Sequence, residues 1–170
     1  MIKYFVPKDA NILFIGINPH PGSYSKGIPF SNNKMFWYIL EKSGLISEGI
    51  DNIKDDEKLK VIYLSKFSKF YKFGLLNIID RPTKNTTTIK KGEEIKGVTK
   101  IKDVIKRKKP KIVCFVGKIT YSKFSGKKNF NFGFQDNLYE SKVFIARFPI
   151  RGYASIRINE MKKLKKFILG

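Results

Sequence analysis

Hydrophobic positions along this chain form two kinds of pattern, short continuous runs and longer spaced stripes, and the two alternate. ILFI within residues 11–17, GLLNII at 74–79 and KIVCFV at 111–116 are continuous apolar runs, which predict strands covered on both faces. Between the first two runs, Met35, Phe36, Ile39 and Leu40 recur at helical spacing, with Asn32 or Asn33 as a cap and Gly44 as the stop. Ile95, Val98, Ile101 and Ile105 mark one face of a helix over residues 93–108, which Pro110 ends. Gly117 opens a short helix reaching Phe124, and residues 130–148 predict a more exposed β segment leading into VFIARF. A last helix, from about residue 159, buries Met161, Leu164 and Ile168.

Two stretches interrupt this alternation. Residues 18–31 contain Pro19, Pro21, Gly22, Gly27 and Pro29, so the expectation there is a loop without helix. Residues 45–73 mix charge with Gly and then interleave Lys with aromatics in IYLSKFSKFYKF, which reads as an amphipathic helix packing its Tyr and Phe into the core. Strands alternating with helices predict an α/β fold, a three-layer α/β/α sandwich around a central, mostly parallel β-sheet. No repeat or linker divides the chain, so residues 1–170 are expected to form a single domain.

Composition changes the picture in one respect. Thirty-five Lys and Arg against fourteen Asp and Glu give a formal charge of +21, which favours a polyanionic partner through counterion release and steering. Compositional drift in a chain rich in Lys, Ile, Asn and Phe is the other source of such a charge. The single cysteine, Cys114, lies inside IVCFV and reads as a small core residue, and the single histidine, His20, reads as a loop residue. Neither supports a metal site or an iron–sulfur cluster, so no metal and no cofactor are expected. Apolar runs fall far short of the ~20 residues of a membrane helix, and the first residues lack a signal-peptide pattern, so the expected location is intracellular, away from membrane.

Candidate chemistry gathers at three strand ends: Asn18-Pro19, Asp80-Arg81-Pro82-Thr83, and residues 149–157. In a parallel α/β sheet these loops emerge on one edge, where ligands bind. None carries a Ser-His-Asp set, paired carboxylates or a phosphate-cradling loop; Asp80 is the one strong base among them.

The same stretches resemble a known family. GINP, the Gly-containing loop after it, then Gly-Ile-Pro-Phe and Phe-Trp, look like the mismatch-specific uracil- and thymine-DNA glycosylases of the uracil-DNA glycosylase superfamily. GLLNIIDRPT and KIVCFVGKITYSKFS with the later FGFQ are similar to further blocks of that family, in order, from residue 11 to the last helix. The resemblance implies that Asn18 positions the attacking water and Thr83 assists with it. It implies that Phe30 stacks on an extruded base, that Asn77 faces the base edge, and that the backbone of Ile17 and Phe30 contacts the pyrimidine's polar edge. An amide at position 18 cannot take a proton from water at neutral pH, so catalysis would rest on positioning and on stabilising the departing base.

Such an enzyme must flip its base out of the duplex, and the family fills the vacancy with a loop before the last helix. Here that loop, FPIRGYASIR, departs from the pattern: it is longer, and Phe148 replaces a polar residue. Arg151, Gly152, Tyr153, Ser155, Ile156 and Arg157 are its candidates for the wedge and for DNA contact. The resemblance therefore implies a monofunctional, monomeric DNA glycosylase located with the DNA. Its substrate would be mispaired or damaged double-stranded DNA, with uracil, thymine or another deaminated base as target. The alternative is a non-catalytic nucleic-acid-binding protein on the same scaffold; a small-molecule nucleosidase leaves the charge unexplained.

Overall fold

A computed structural model describes residues 1–170. The three continuous apolar runs are strands β1 (Ile12–Gly16), β2 (Phe73–Asn77) and β3 (Ile112–Val116), joined in one sheet by a hairpin of β4 (Gly133–Leu138) and β5 (Ser141–Ala146). The sheet order is β2-β1-β3-β5-β4, parallel throughout except for the edge strand β4, which runs antiparallel to β5.

Strand side chains alternate between faces, so each run feeds two cores. Ile12, Phe14, Phe73 and Cys114 face one side, packed by α2 (Met35–Ser43), α3 (Ile50–Lys54), α4 (Asp56–Ile62) and α7 (Ala154–Leu169). Leu13, Ile15, Val113 and Phe115 face the other, packed by α5 (Ile95–Lys108) and α6 (Lys118–Ser125). The result is the expected three-layer sandwich. Phe14 meets Phe36 and Phe73 edge-on, with ring centroids 5.2 and 5.8 Å apart, contacts worth roughly 0.5–1.5 kcal/mol each beyond their area. Cys114 is fully buried in this core, and burial pushes its thiol well above the ordinary range. Gly97 lets α5 sit against the end of β2: a Cβ there would lie 1.7 Å from the Ile78 carbonyl oxygen.

Three expectations are corrected. The loop after β1 contains a short helix, α1 (Pro21–Lys26), because Pro21 occupies the first turn, where no amide proton is needed. His20 caps it through Nδ1, which accepts from the Gly22 N–H at 3.0 Å, and Gly27 closes it in the left-handed region at φ 73°. Between β1 and β2 the amphipathic segment runs through α4 into a π-helical turn over Tyr63–Phe67, with Tyr63 and Phe67 buried and Phe70 exposed. Finally, α7 begins at Ala154, five residues before the expected start; its first turns bury Arg157 and Glu160, a polar stripe that hydrophobic periodicity does not register. No helix is long and apolar enough to cross a membrane.

Candidate active site

The carboxyl ends of β1, β2 and β3, with the loop after β5, enclose a cleft of about 660 Å³. Asn18, Thr83 and Pro149 all line it, so the three strand-end loops converge as their parallel arrangement requires. Asp80 is exposed and takes no part in the lining, and no other carboxylate does; Lys84, Lys118 and Arg151 supply positive charge. The cleft therefore suits an anionic ligand and holds no carboxylate; His20 also lines it, with Nδ1 taken up as the acceptor of the Gly22 N–H.

Asn18 lies two residues beyond β1. Its Nδ2 donates to the Arg81 carbonyl at 3.0 Å and to the Thr83 hydroxyl at 2.7 Å. Both amide protons are thus committed, and Oδ1 is left as an acceptor with no protein donor. Thr83 Oγ1 passes its own proton to the Asn85 carbonyl at 2.7 Å, and the Thr83 N–H donates to the Pro19 carbonyl at 3.1 Å. The two strand-end loops are knitted together at the point where the amide is aimed. Behind them, Arg81 grips Glu93 through Nε and Nη2 at 2.8 and 3.0 Å. Glu93 is lowered to about 2, first by the Arg81 hydrogen bond and then by the Lys90 N–H.

Phe30 adopts a left-handed backbone, φ 53°, a conformation that costs a non-glycine residue of order 1–3 kcal/mol. Its surroundings impose it. Trp37 Nε1 donates to the Pro29 carbonyl at 2.8 Å, and Ser23 Oγ accepts from the N–H groups of Ser31 and Asn32 at 3.0 and 2.9 Å. One ring face of Phe30 stacks on Phe36, with centroids 4.5 Å apart. Pre-organised flat apolar surface of this kind suits a planar heterocycle. Ile17 is buried beside it, its carbonyl accepting from the Ile79 N–H at 2.9 Å.

Asn77 ends β2 on the same sheet face as Phe73 and Leu75, opposite Gly16 in the register. Its Nδ2 donates to the Tyr4 hydroxyl at 2.7 Å. A Cβ on Gly16 would lie 2.4 Å from Asn77 Oδ1 and 3.0 Å from Phe30 Cζ. The bare backbone at Gly16 is what allows the amide and the ring to meet over the end of β1.

The loop before α7 sits at the mouth of the cleft. Arg151 is exposed and lines it, Gly152 takes φ 72°, and Tyr153 is 79% exposed. Ser155 and Ile156 are exposed in the first turn of α7. Arg157 is buried beneath them, its Nε and Nη1 without a protein partner. Next to it, Arg147 pairs with buried Glu160 at 2.7 Å, and its guanidinium stacks over Phe132, which Lys118 also covers.

Tyr4 lies outside every motif, and Gly16 and Lys118 lie within the GINP and KIVCFVGKITYSKFS blocks without being singled out as site residues; their roles come from where the sheet brings them. No group of three or more His, Cys, Asp or Glu is gathered anywhere. With this geometry in hand, comparison with known proteins shows that the family model described as the Uracil DNA glycosylase superfamily matches residues 2–164.

Proposed function

This chain belongs to the uracil DNA glycosylase superfamily, whose members are hydrolases of N-glycosyl bonds in DNA repair, and on that premise we propose a monofunctional glycosylase acting on mispaired duplex DNA. The base removed is uracil, with thymine or another deaminated base as a further substrate. The observation that carries this reading is the commitment of both Asn18 amide protons to Arg81 and Thr83, which leaves Oδ1 as a water acceptor in a cleft without carboxylates.

The roles follow from the chemistry. A flipped base slides against the free face of Phe30, with Asn77 at its edge and the backbone of Ile17 and Phe30 beside it. The C1′–N1 bond breaks, its electron pair leaving with the base as an anion. A water held by Asn18 Oδ1 forms the new bond to C1′, and its proton passes to the departing base. Thr83 acts by fixing Asn18. Lys84 and Lys118 favour the anionic leaving group and the phosphates around it. No lysine stands where Asn18 stands, so water rather than an amine attacks.

Arg151, Gly152 and Tyr153, with Ser155 and Ile156 behind them, form the wedge that occupies the vacated duplex position, and Arg157 supports that loop from below. All 170 residues act as one monomeric domain on double-stranded DNA, without metal or cofactor. Incubation with a U·G duplex followed by alkali tests the reading: strand scission at the lesion is expected. Intact strands across uracil, thymine and hypoxanthine mispairs would overturn it.

A further inference from the structure

At the other end of the sheet from the cleft, lysines line a second recess. It is a shallow groove of about 500 Å³ beside the edge strand β2, bounded by Phe5 and Val6 on one side and by Lys69, Lys72 and Lys108 at the strand's amino end. Lys72 directly precedes β2 and Asn77 ends it in the cleft, so the two recesses stand a strand's length apart, roughly 17 Å at about 3.3 Å per residue. No carboxylate lines the groove. On the elements around it Glu48 is paired with Lys66 and Asp103 with Arg107. Asp9 meets Lys108 only through its backbone N–H, which donates to the Lys108 carbonyl at 2.7 Å. None of the ion pairs in the structure includes Lys69, Lys72 or Lys108.

Phe70 stands between two of these lysines in sequence, 71% exposed, with its ring edge-to-face against Tyr71 at 4.9 Å. Phe5, 37% exposed, puts a second ring in the groove wall. One exposed aromatic needs no explanation. Two at one groove, interleaved with unpaired cations, make the surface that a single-stranded nucleic acid uses, lysine for phosphate and ring for base. A duplex keeps its bases stacked on one another and offers such rings nothing. We infer that this groove is a second nucleic-acid site, taking a single strand independently of the cleft. Lys69, Lys72 and Lys108 hold its phosphates, and Phe70 stacks on a base. The inference stands apart from the glycosylase reading, because none of these residues lines the cleft.

The test follows a fluorescein-labelled oligodeoxyadenylate of about twelve nucleotides by anisotropy, within the site sizes such grooves show. Adenine stacks well and is no pyrimidine, so it does not compete for the cleft. Lys69→Gln, Lys72→Gln and Lys108→Gln together are expected to weaken binding at least tenfold in dilute salt. They should also reduce the slope of log affinity on log salt by about 2, at roughly 0.7 per phosphate contact on a single strand. Lys69→Gln with Lys72→Gln, both exposed, should give about two-thirds of that change in slope. Phe70→Ala is expected to weaken binding about tenfold with the slope unchanged, the worth of one stacked base. Single-turnover excision from saturating U·G duplex is expected to stay within about twofold in every variant, since distant sites are independent. Unchanged oligoadenylate binding in the lysine variants overturns the inference, and so does an unaffected Phe70→Ala. An equal loss on a lesion-free duplex, or a parallel loss of excision, overturns it as well, by making the groove part of a duplex contact. Failure of the glycosylase reading shows separately, as absence of excision by the unaltered protein.

Discussion

The Thr83 hydroxyl stands 2.7 Å from Asn18 Nδ2 and accepts its proton while donating its own to the Asn85 carbonyl. Thr83 is therefore oriented as an acceptor toward Asn18, and Asn18 is oriented with Oδ1 toward the cleft. The hydroxyl has no proton left for a water molecule, so its service to the reaction passes through Asn18. Asn18→Ala is expected to lower single-turnover excision by more than ~100-fold, within the range that removal of a positioned polar group costs, with DNA affinity largely kept. Thr83→Ala is expected to cost about tenfold, the worth of one buried hydrogen bond. The double variant should be no slower than Asn18→Ala, because residues acting as one unit are not additive; additive losses would assign Thr83 a separate contact.

Gly16 faces Asn77 and Phe30 across a gap that no side chain fits. In Gly16→Ala the new methyl would stand 2.4 Å from Asn77 Oδ1 and 3.0 Å from Phe30 Cζ. Both are side-chain atoms, so they move aside and the fold survives, at a strain of roughly 1–3 kcal/mol. Excision is expected to fall at least tenfold while the melting temperature drops by roughly 2–12 °C, at about 2–4 °C per kcal/mol for a domain of this size. A collapse of stability with unchanged specific activity would show that the position matters for packing alone.

The Arg81–Glu93 pair fastens the loop whose carbonyl holds Asn18. Glu93 has its folded value lowered from 4.5 to about 2, by Arg81 first. A value below the unfolded one means the pair stabilises the fold at pH above the unfolded value and loses that contribution as pH falls through about 2. Titration of the Glu93 carboxyl by NMR is expected to show a midpoint near 2, returning to the ordinary carboxylate range in Arg81→Ala. An unchanged midpoint in that variant would assign the shift elsewhere. The same variant should slow excision several-fold, because the Asn18 acceptor loop loses its tether.

Tyr153 is the most exposed aromatic at the cleft mouth, and Arg151 lies beside it. A wedge acts only where there is a duplex position to fill. Tyr153→Ala and Arg151→Ala are expected to slow excision from a U·G duplex by about 10–100-fold while leaving single-stranded uracil substrate within about twofold, since only the cost of unstacking, a few kcal/mol, is at stake. Equal losses on both substrates would move these residues from the wedge to general DNA contact.

The short, largely apolar runs ILFI, GLLNII and KIVCFV pointed by themselves to strands covered on both faces, because they are too short for buried helices and are bounded by polar, Gly or Pro residues. The βαβ alternation then put the strand ends on one edge, and with them Asn18, Asn77 and Thr83. These features are local or follow from handedness and connection rules, which is why they can be read in one dimension. The helix within residues 18–31 was hidden because proline and glycine signal breaks unless they stand at a first turn and a C-cap, as Pro21 and Gly27 do. The early start of α7 was hidden because its buried face opens with Arg157 and Glu160 rather than with apolar residues. Only the tertiary structure decided the orientations that chemistry depends on. Asn18 has its proton acceptors on a loop more than sixty residues away, and Asn77 meets a tyrosine seventy-three residues before it. An amide's two faces look alike in sequence; the neighbours that fix which one meets a ligand are chosen by the fold.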